Sequence, residues 1–387
     1  MRILTVDIGT GTQDIFLYDS RLQIENGFKL VVPSPTMIVH RQVRAATRTR
    51  TPILLTGVMM GGGPSAWAAE AHVRAGLKTY ATPAAAKTLN DELDKVRSLG
   101  IEILSDDEAA ALPASVQRIT FRDFNLPAIQ KALSSFGVDL SDLDAVAVAV
   151  FDHGDAPPGV SDRQFRFDYL DKRIREKNSL SAFAYLADDI PPIMTRLQAV
   201  AQSAGKLDCP LVVMDTAPAA VLGANFDPVV AQRKRKIICN VGNFHTLAFR
   251  LGEQGIEGVF EHHTGEVDLA KLEGLICKLA DGSLKYQDVF DDMGHGALMY
   301  TDEVFEFGKD EFDVVVTGPR RTIFYPSSFI PHPFQSLHPY FAVPFGDMML
   351  AGCFGLLVAT GEVLPNLAET IFRSLRGGCG VAPWDAG

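Results

Sequence analysis

"TVDIGTGTQD", residues 5–14, sets Gly9, Thr10, Gly11 and Thr12 between two aspartates, Asp7 and Asp14. The stretch before the turn, "RILTVDIG" (2–9), is β-branched and barely alternates, which predicts a buried strand. The stretch after it, "QDIFLYD" (13–19), alternates polar and apolar residues and predicts the returning strand of a hairpin. Two readings of the turn follow. A hairpin needs glycine only for its permissive backbone. A phosphate cradle uses the same glycines to bring the backbone close to an anion, with successive N–H groups pointing into a concavity. In the second reading Thr10 and Thr12 add hydroxyl donors, and Asp7 at the strand end holds a magnesium ion through water. Asp14 then orients an incoming group or another metal-bound water.

The strand–turn–strand spelling recurs in "KIICNVGNFHTLAFRLG" (236–252), early in the second half. Two related lobes are therefore expected, each an α/β unit with a mixed sheet and flanking helices around a central cleft. In the first half, "TPILLTGVMMGGGPSAWAAEAHVRAG" (51–76) reads as strand, glycine turn and helix, with Pro64 early in the helix and Gly76 as its stop. Helices are predicted at 85–99, 126–136 and 190–205, the last with Pro191 and Pro192 at its start. "LDAVAVAVFDHGD" (143–155) is a strand ending in a polar loop, and "CPLVVMDTAPAAVLGAN" (209–225) a strand followed by a small-residue helix. In the second half, 258–282 reads as strand, loop and helix, and "DVVVTGPRR" (313–321) as a buried strand with a glycine turn. The proline- and aromatic-rich stretch 325–349 is expected to be irregular, and 347–361 an apolar helix with small residues spaced for close packing. The expected division is a first lobe over 1–225, with an inserted segment around 20–140, and a second lobe over 226–387. The helix at 347–361 either stays inside its lobe or packs back on the first.

A chain of 387 residues exceeds one ordinary core, in keeping with two lobes. Its 47 % hydrophobic and 21 % charged residues are globular proportions. A net charge of −11 argues against nucleic acid as a partner, and "QRKRK" (232–236) reads as a solvated turn before a strand. There is no basic-then-apolar leader, and no window nears the roughly 20 apolar residues that span a bilayer. The five cysteines, at 209, 239, 277, 353 and 379, are scattered through mostly apolar runs, as buried thiols of a cytoplasmic protein would be. No CxxC pair or CxxxCxxC triad exists to hold an iron–sulfur cluster.

The motifs and their order resemble the actin-like ATPase superfamily, which includes sugar kinases, actin and the seventy-kilodalton heat-shock chaperones. "DIGTGTQD" (7–14) looks like the first phosphate loop, and "AVAVAVFDHGD" (145–155) like the strand that follows the first lobe's helices. "MDTAPAAVLGA" (214–224) is similar to the first connecting helix and "CNVGNFHTLAF" (239–249) to the second phosphate loop. "VVVTGPRR" (314–321) resembles the adenosine turn, and "GDMMLAGCFGLL" (346–357) the second connecting helix. The resemblance implies two ribonuclease H-like lobes with ATP and magnesium between them. It implies phosphate or nucleotide contacts from Gly9, Thr10, Gly11, Thr12, Gly242, Asn243, Thr246, Gly318 and Arg320, with Asp7 and Asp14 at the metal. Within the superfamily the chain resembles a family labelled as pyruvate formate-lyase activating enzymes. That label implies a cysteine-held cluster, and the cysteine pattern argues against it.

Departures from the superfamily pattern matter. Its second loop normally reads Asp-x-Gly-Gly-Gly-Thr. Here Asn240, an amide that cannot act as a base, replaces the carboxylate, and Phe244 and His245 replace small residues. The adenosine turn keeps Gly318 but continues with Pro319, Arg320 and Arg321, whose guanidinium groups either meet the nucleotide or are solvated.

Six of nine histidines fall between 245 and 338, and His153 stands beside the expected cleft. His153, His245 and His263 would converge near a terminal phosphate, where one can serve as base or phosphate contact. Neutral imidazoles with carboxylates could also build a transition-metal site, although no HxH or HxxxH pair exists. His262 and His263, adjacent in a strand, would face opposite ways. "GVMMGGGP" (57–64) lacks the lysine and hydroxyl of a GxxxxGK[ST] loop, and is either a packing turn or a subsite for a substrate carboxylate or phosphate.

The expectation is a protein that binds ATP and Mg²⁺ and acts as a phosphotransferase or ATPase on a small molecule or partner. Asp7, Asp155 and His245 are its catalytic candidates. Asp215 is a further candidate base, whose bland reading is a helix N-cap. Two alternatives stand beside it: a degenerate, non-hydrolysing ligand-binding sensor or scaffold, and a histidine-dependent, metal-assisted hydrolase, as in hydantoin-hydrolysing members of the superfold.

Overall fold

The computed structural model describes residues 1–325, 337–378 and 380–386. The first hairpin forms as read: β1 (Arg2–Ile8) pairs antiparallel with β2 (Thr12–Asp19), which pairs with β3 (Phe28–Pro33). The chain then leaves this sheet through α1 (Pro35–Arg48) and builds a four-stranded parallel sheet with its own core. Its strands are β4 (Ile53–Gly57), β5 (Thr79–Ala81), β6 (Glu102–Ile103) and β7 (Gln117–Phe121), in the order β6-β5-β4-β7. Around it stand α2 (Pro64–Arg74), α3 (Pro83–Ala86), α4 (Leu93–Ser98) and α5 (Asp106–Ala111), with α6 (Leu126–Ser134) leading back.

The single helix expected over 85–99 is two short ones, α3 and α4. A side chain diverts the backbone between them. Asn90 Oδ1 accepts the Glu92 amide at 2.9 Å, a local bond that competes with a continuing helix, while the Thr88 hydroxyl holds the Met60 amide of the glycine turn at 3.0 Å.

Back in the first sheet, β8 (Ala145–Val150) lies parallel to β1. After α7 (Asp162–Glu176) come β9 (Ala184–Leu186), α8 (Thr195–Ala204) and β10 (Leu211–Asp215), which completes the order β3-β2-β1-β8-β10-β9. Pro191 and Pro192 precede α8 in a turn closed by Met194 N–H donating to Pro191 O at 2.9 Å, so that helix starts later than expected. The small-residue stretch forms α9 (Thr216–Ala224).

The short α10 (Pro228–Ala231) leads into the second sheet: β11 (Lys236–Val241), β12 (His245–Gly252) and β13 (Gly255–His263). Helices α11 (Leu269–Asp281) and α12 (Tyr286–Phe290) precede β14 (Gly296–Met299), β15 (Val314–Thr317) and β16 (Pro339–Phe341). The order is β14-β13-β12-β11-β15-β16. Of the stretch 325–349, residues 326–336 lie outside the described residues, and the rest is not wholly irregular, because β16 joins the sheet parallel to β15. The chain continues through α13 (Ala351–Val363) and α14 (Pro365–Leu375).

Both sheets share a plan. An antiparallel three-strand meander, β1-β2-β3 or β11-β12-β13, is followed by parallel strands added beside its first member. This is the two-lobed ribonuclease H-like, actin-like fold expected from the sequence.

The sequence of β8, "AVAVAV", shows how the layers stack. Val146, Val148 and Val150 pack with Ile129 and Leu133 of α6 and Leu197 and Val200 of α8. Ala145, Ala147 and Ala149 face the opposite layer, where small side chains leave room for α9 and α13. Ile238, Leu247 and Phe249 of the second sheet close that same core from the other side. The two helices are thus sandwiched between the sheets, and α13 is buried all round from Ala351 to Gly361. Their crossing is as close as backbones allow. A side chain on Gly223 would collide with the Ala351 carbonyl, and one on Gly355 with the Ala219 carbonyl.

Candidate functional site

The two glycine turns close in the same way. Gly9 N–H donates to Thr12 O and Gly242 N–H to His245 O, each at 2.9 Å. Strand register extends the match: Asp7 faces Asp14 across β1–β2, and Asn240 faces Leu247 across β11–β12. Asn240 therefore stands where the first loop has Asp7, Leu247 where it has Asp14, Phe244 where it has Gly11 and His245 where it has Thr12. The turns meet, since a side chain on Gly11 would run into the Asn243 amide. Beside them opens a cavity of about 990 Å³, lined by both turns, the 151–162 loop, the 59–63 glycine turn and the start of α13.

At its base stand two buried carboxylates on neighbouring strands. Asp7 Oδ1 accepts the Thr216 hydroxyl at 2.6 Å, and Gly352 leaves the space its other oxygen occupies. Asp14 Oδ1 is buried and has no hydrogen-bond partner. Burial pushes the Asp14 carboxyl up to about 8, and the charge of Asp7 adds to the effect. Burial likewise raises Asp7 to about 6, opposed by the Thr216 hydroxyl. Two adjacent buried carboxylates, one with an idle oxygen, either keep a proton or take a cation. Their all-oxygen donor set suits a hard ion such as Mg²⁺.

The second wall is imidazole. His245 opens β12 opposite His263 on β13, His153 lies on the loop after β8, and His295 immediately precedes β14. His153 Nε2 and His295 Nε2 are 3.1 Å apart, and the His245 ring stacks on Phe151 with centroids 4.0 Å apart. One nitrogen from each of His153, His245 and His295 lies within 4.8 Å of the others. His245 Nε2 is buried and unpartnered. Burial keeps these imidazoles neutral, with His153 pressed down to about 3 and the charges of Arg166 and Arg196 working in the same direction. His262 faces the other way, its Nε2 3.2 Å from Asp292, as the strand alternation requires.

Behind the cluster runs a buried ionic chain. Arg166 of α7 donates to Asp215 Oδ2 at 2.6 Å, to Glu261 Oε2 at 2.9 Å and to the Asp152 carbonyl at 2.9 Å, and lies 3.8 Å over the Phe151 ring. It joins the end of β10 to β13, first sheet to second. Asp215 also accepts the Ala217 amide at 2.9 Å, so both of its roles, N-cap and ion partner, are structural.

Of the residues named from sequence, Asp7, Gly9, Thr10, Thr12, Asp14, Asp155, Gly242, Asn243, His245 and Gly318 border the cavity. Asp155 is exposed at its rim. Gly11 supports the turn contact instead. Gly318, at φ +95°, passes too close to the Asn240 amide and Val241 carbonyl for any side chain. Thr246 points into the second sheet, where its hydroxyl meets that of Thr264 at 2.9 Å, and Arg320 lies outside the cavity lining. The Gly61 amide is taken up by both oxygens of Asp123 at 3.1 Å, and Asp123 is paired with Arg196, so the triple-glycine turn is packed in place at the cavity edge.

Three features escaped the sequence reading: the membership of His295 in the cluster, Arg166 and Glu261. A signal for Arg166 existed, since it shares a helix face with Leu170 and Ile174 at i, i+4 and i+8, an apolar stripe on which a charge implies a buried partner.

Fold and site together define a two-lobed actin-like protein with a ligand-sized cleft between its lobes. The chain belongs to the family described as "Putative pyruvate format-lyase activating enzyme (DUF1786)", whose model matches residues 60–323. No curated protein matches it in sequence. Similar solved structures include the ROK hexokinase from Thermus thermophilus, at 12 % identity and TM-score 0.23, covering 66 % of this chain and 48 % of that one. An exopolyphosphatase-like protein matches at 8 % identity and TM-score 0.21, covering 68 % and 50 %. A carbohydrate kinase from Novosphingobium aromaticivorans matches at 11 % identity and TM-score 0.23, covering 98 % and 92 %. The chain spans about half the length of the first two.

The cysteines do not suit the cluster that the family description calls to mind. Cys239 and Cys353 are buried in separate strand and helix cores, Cys209 and Cys277 are half-buried elsewhere, and Cys379 lies outside the described residues. Among the described residues, the one group of three or more potential metal ligands close enough to share an ion consists of histidines alone. Among these residues, too, no helix is long and apolar enough to cross a membrane.

Proposed function

We propose that the cleft binds a nucleoside triphosphate with Mg²⁺, and that the protein is an ATP-dependent phosphotransferase or ATPase. The observation that carries this reading is the matched pair of glycine turns meeting across a cavity, with Asp7 and the idle oxygen of Asp14 beneath one of them. Gly9 and Gly242 spend their amides on closing the turns, which leaves the Thr10 amide, the Thr10 and Thr12 hydroxyls and, from the opposite side, the Asn243 amide to suit phosphate oxygens. Asp7 and Asp14 would hold Mg²⁺, directly or through its water shell. The bound cation would neutralise phosphate charge, which is most of what phosphoryl transfer asks of a protein. Asp155, exposed at the cavity rim, is the candidate to take a proton from an acceptor, since His245 Nε2 is buried and burial holds its imidazole far from the protonated form.

A second reading has its own support. Because Asn240 and Leu247 replace the first loop's carboxylate pair, the second lobe offers no acid at the matching place. A cleft that binds nucleotide without turning it over would act as a sensor or scaffold. Phosphate release from ATP with Mg²⁺ separates the two. The first reading expects steady turnover that is lost in Asp7→Ala, which removes a carboxylate from beneath the first glycine turn. Binding without turnover in the wild type leaves the second.

A further inference from the structure

We infer that His153, His245 and His295 form a binding site for a late first-row divalent metal, with zinc as the type case, in the wall of the cleft. The three residues come from a loop of the first lobe, the first residue of β12 and the turn before β14, so only the fold brings them together. Each presents a ring nitrogen, all within 4.8 Å of one another. The 3.1 Å between His153 Nε2 and His295 Nε2 is close to the roughly 3.3 Å that separates two ligands of a tetrahedral zinc with bonds of about 2.0–2.1 Å. His245 Nε2 is buried with no hydrogen bond, a position that costs stability unless something takes the lone pair.

The surroundings fit as well. Glu261 Oε1 stands 3.4 Å from His295 Nδ1, a buried nitrogen without a hydrogen bond, and Arg166 holds that carboxylate in place. With a metal on the far side of the ring, this carboxylate is the group within reach to accept the Nδ1 proton and fix the tautomer. The nearby cations are already matched, Arg166 by Asp215 and Glu261 and Arg196 by Asp123. Three imidazoles leave coordination room on the cleft side, where His153 and His245 line the cavity. This nitrogen site and the Asp7–Asp14 oxygen pair prefer different ions, so the inference does not depend on the nucleotide reading.

The test uses the full chain, stripped with chelator and titrated with Zn²⁺ by calorimetry and with Co²⁺ by visible absorption. One Zn²⁺ per chain is expected, with intense cobalt bands of a low-coordinate nitrogen site that millimolar Mg²⁺ does not remove. Glu261→Gln should weaken binding by about 10–100-fold, and His245→Asn and His153→Gln by more than that. Asp14→Asn should leave zinc binding unchanged. The half-buried His153 and His245 are substituted instead of the fully buried His295, and circular dichroism checks that each variant is folded. The inference is overturned if the folded wild type takes up no stoichiometric zinc, if both histidine variants bind it as tightly as the wild type, or if binding follows Asp14.

Discussion

Asp14 carries a burden that only a ligand relieves. Its carboxyl is held up to about 8 in the folded chain, against 3.8 when exposed, by burial first and the charge of Asp7 second. Between those values the folded state keeps a proton that the unfolded state has lost. Stability of the ligand-free protein must therefore fall as pH rises from about 4 to about 8, at up to about 1.4 kcal/mol per pH unit. Asp7, raised to about 6, adds to the fall at the acid end. Urea unfolding at pH 5 and pH 8 should show Asp14→Asn losing much of that slope. Mg²⁺ should stabilise the wild type more at pH 8, where it no longer competes with the proton. An unchanged slope in Asp14→Asn would contradict the carboxylate-pair interpretation. At this scale the sequence was informative wherever chemistry is local. "DIGTGTQD" carries its whole turn and both acids within one hairpin. The imidazole cluster is spread over residues 153–295, with no spacing that marks His295 as a member.

The crossing of α9 and α13 is the joint between the lobes, and its glycines are space requirements. Gly223 and Gly355 are helical, so backbone strain is not the reason for them; each faces the other helix's backbone. Gly355→Leu should destabilise by at least the roughly 1–3 kcal/mol of core overpacking, because a backbone carbonyl cannot move aside as a side chain can. Thermal unfolding tests this, with the exposed Gly265→Ala as a control that meets nothing within 4 Å. Equal loss from both would contradict it. Long, strongly patterned elements were legible, "AVAVAV" and "TAPAAVLGA" among them. The parallel sheet inserted after β3 was not, because β5 and β6 have only 3 and 2 residues, too few for a period to register. The helix expected over 85–99 is broken because Asn90 offers the Glu92 amide a side-chain partner in place of a helical one.

Across the whole molecule, two sheets of one plan close on a shared core and leave a cleft where their first turns meet. Two lobes of one plan were suggested by the two strand–turn–strand spellings, while the asymmetry of the site emerges from register. Acids line one turn, and amide, phenyl and imidazole the other. Arg166, bridging Asp215 and Glu261, ties the lobes together directly behind the imidazoles. The most direct measurement is calorimetric titration of the chain with ATP and Mg²⁺, wild type beside Asp7→Ala, at pH 8. Binding by the wild type is predicted, weakened by roughly 10–100-fold in Asp7→Ala, the range of a lost charge-assisted contact. Absence of binding by folded wild-type protein, or equal affinity in the two, would contradict nucleotide recognition at this cleft.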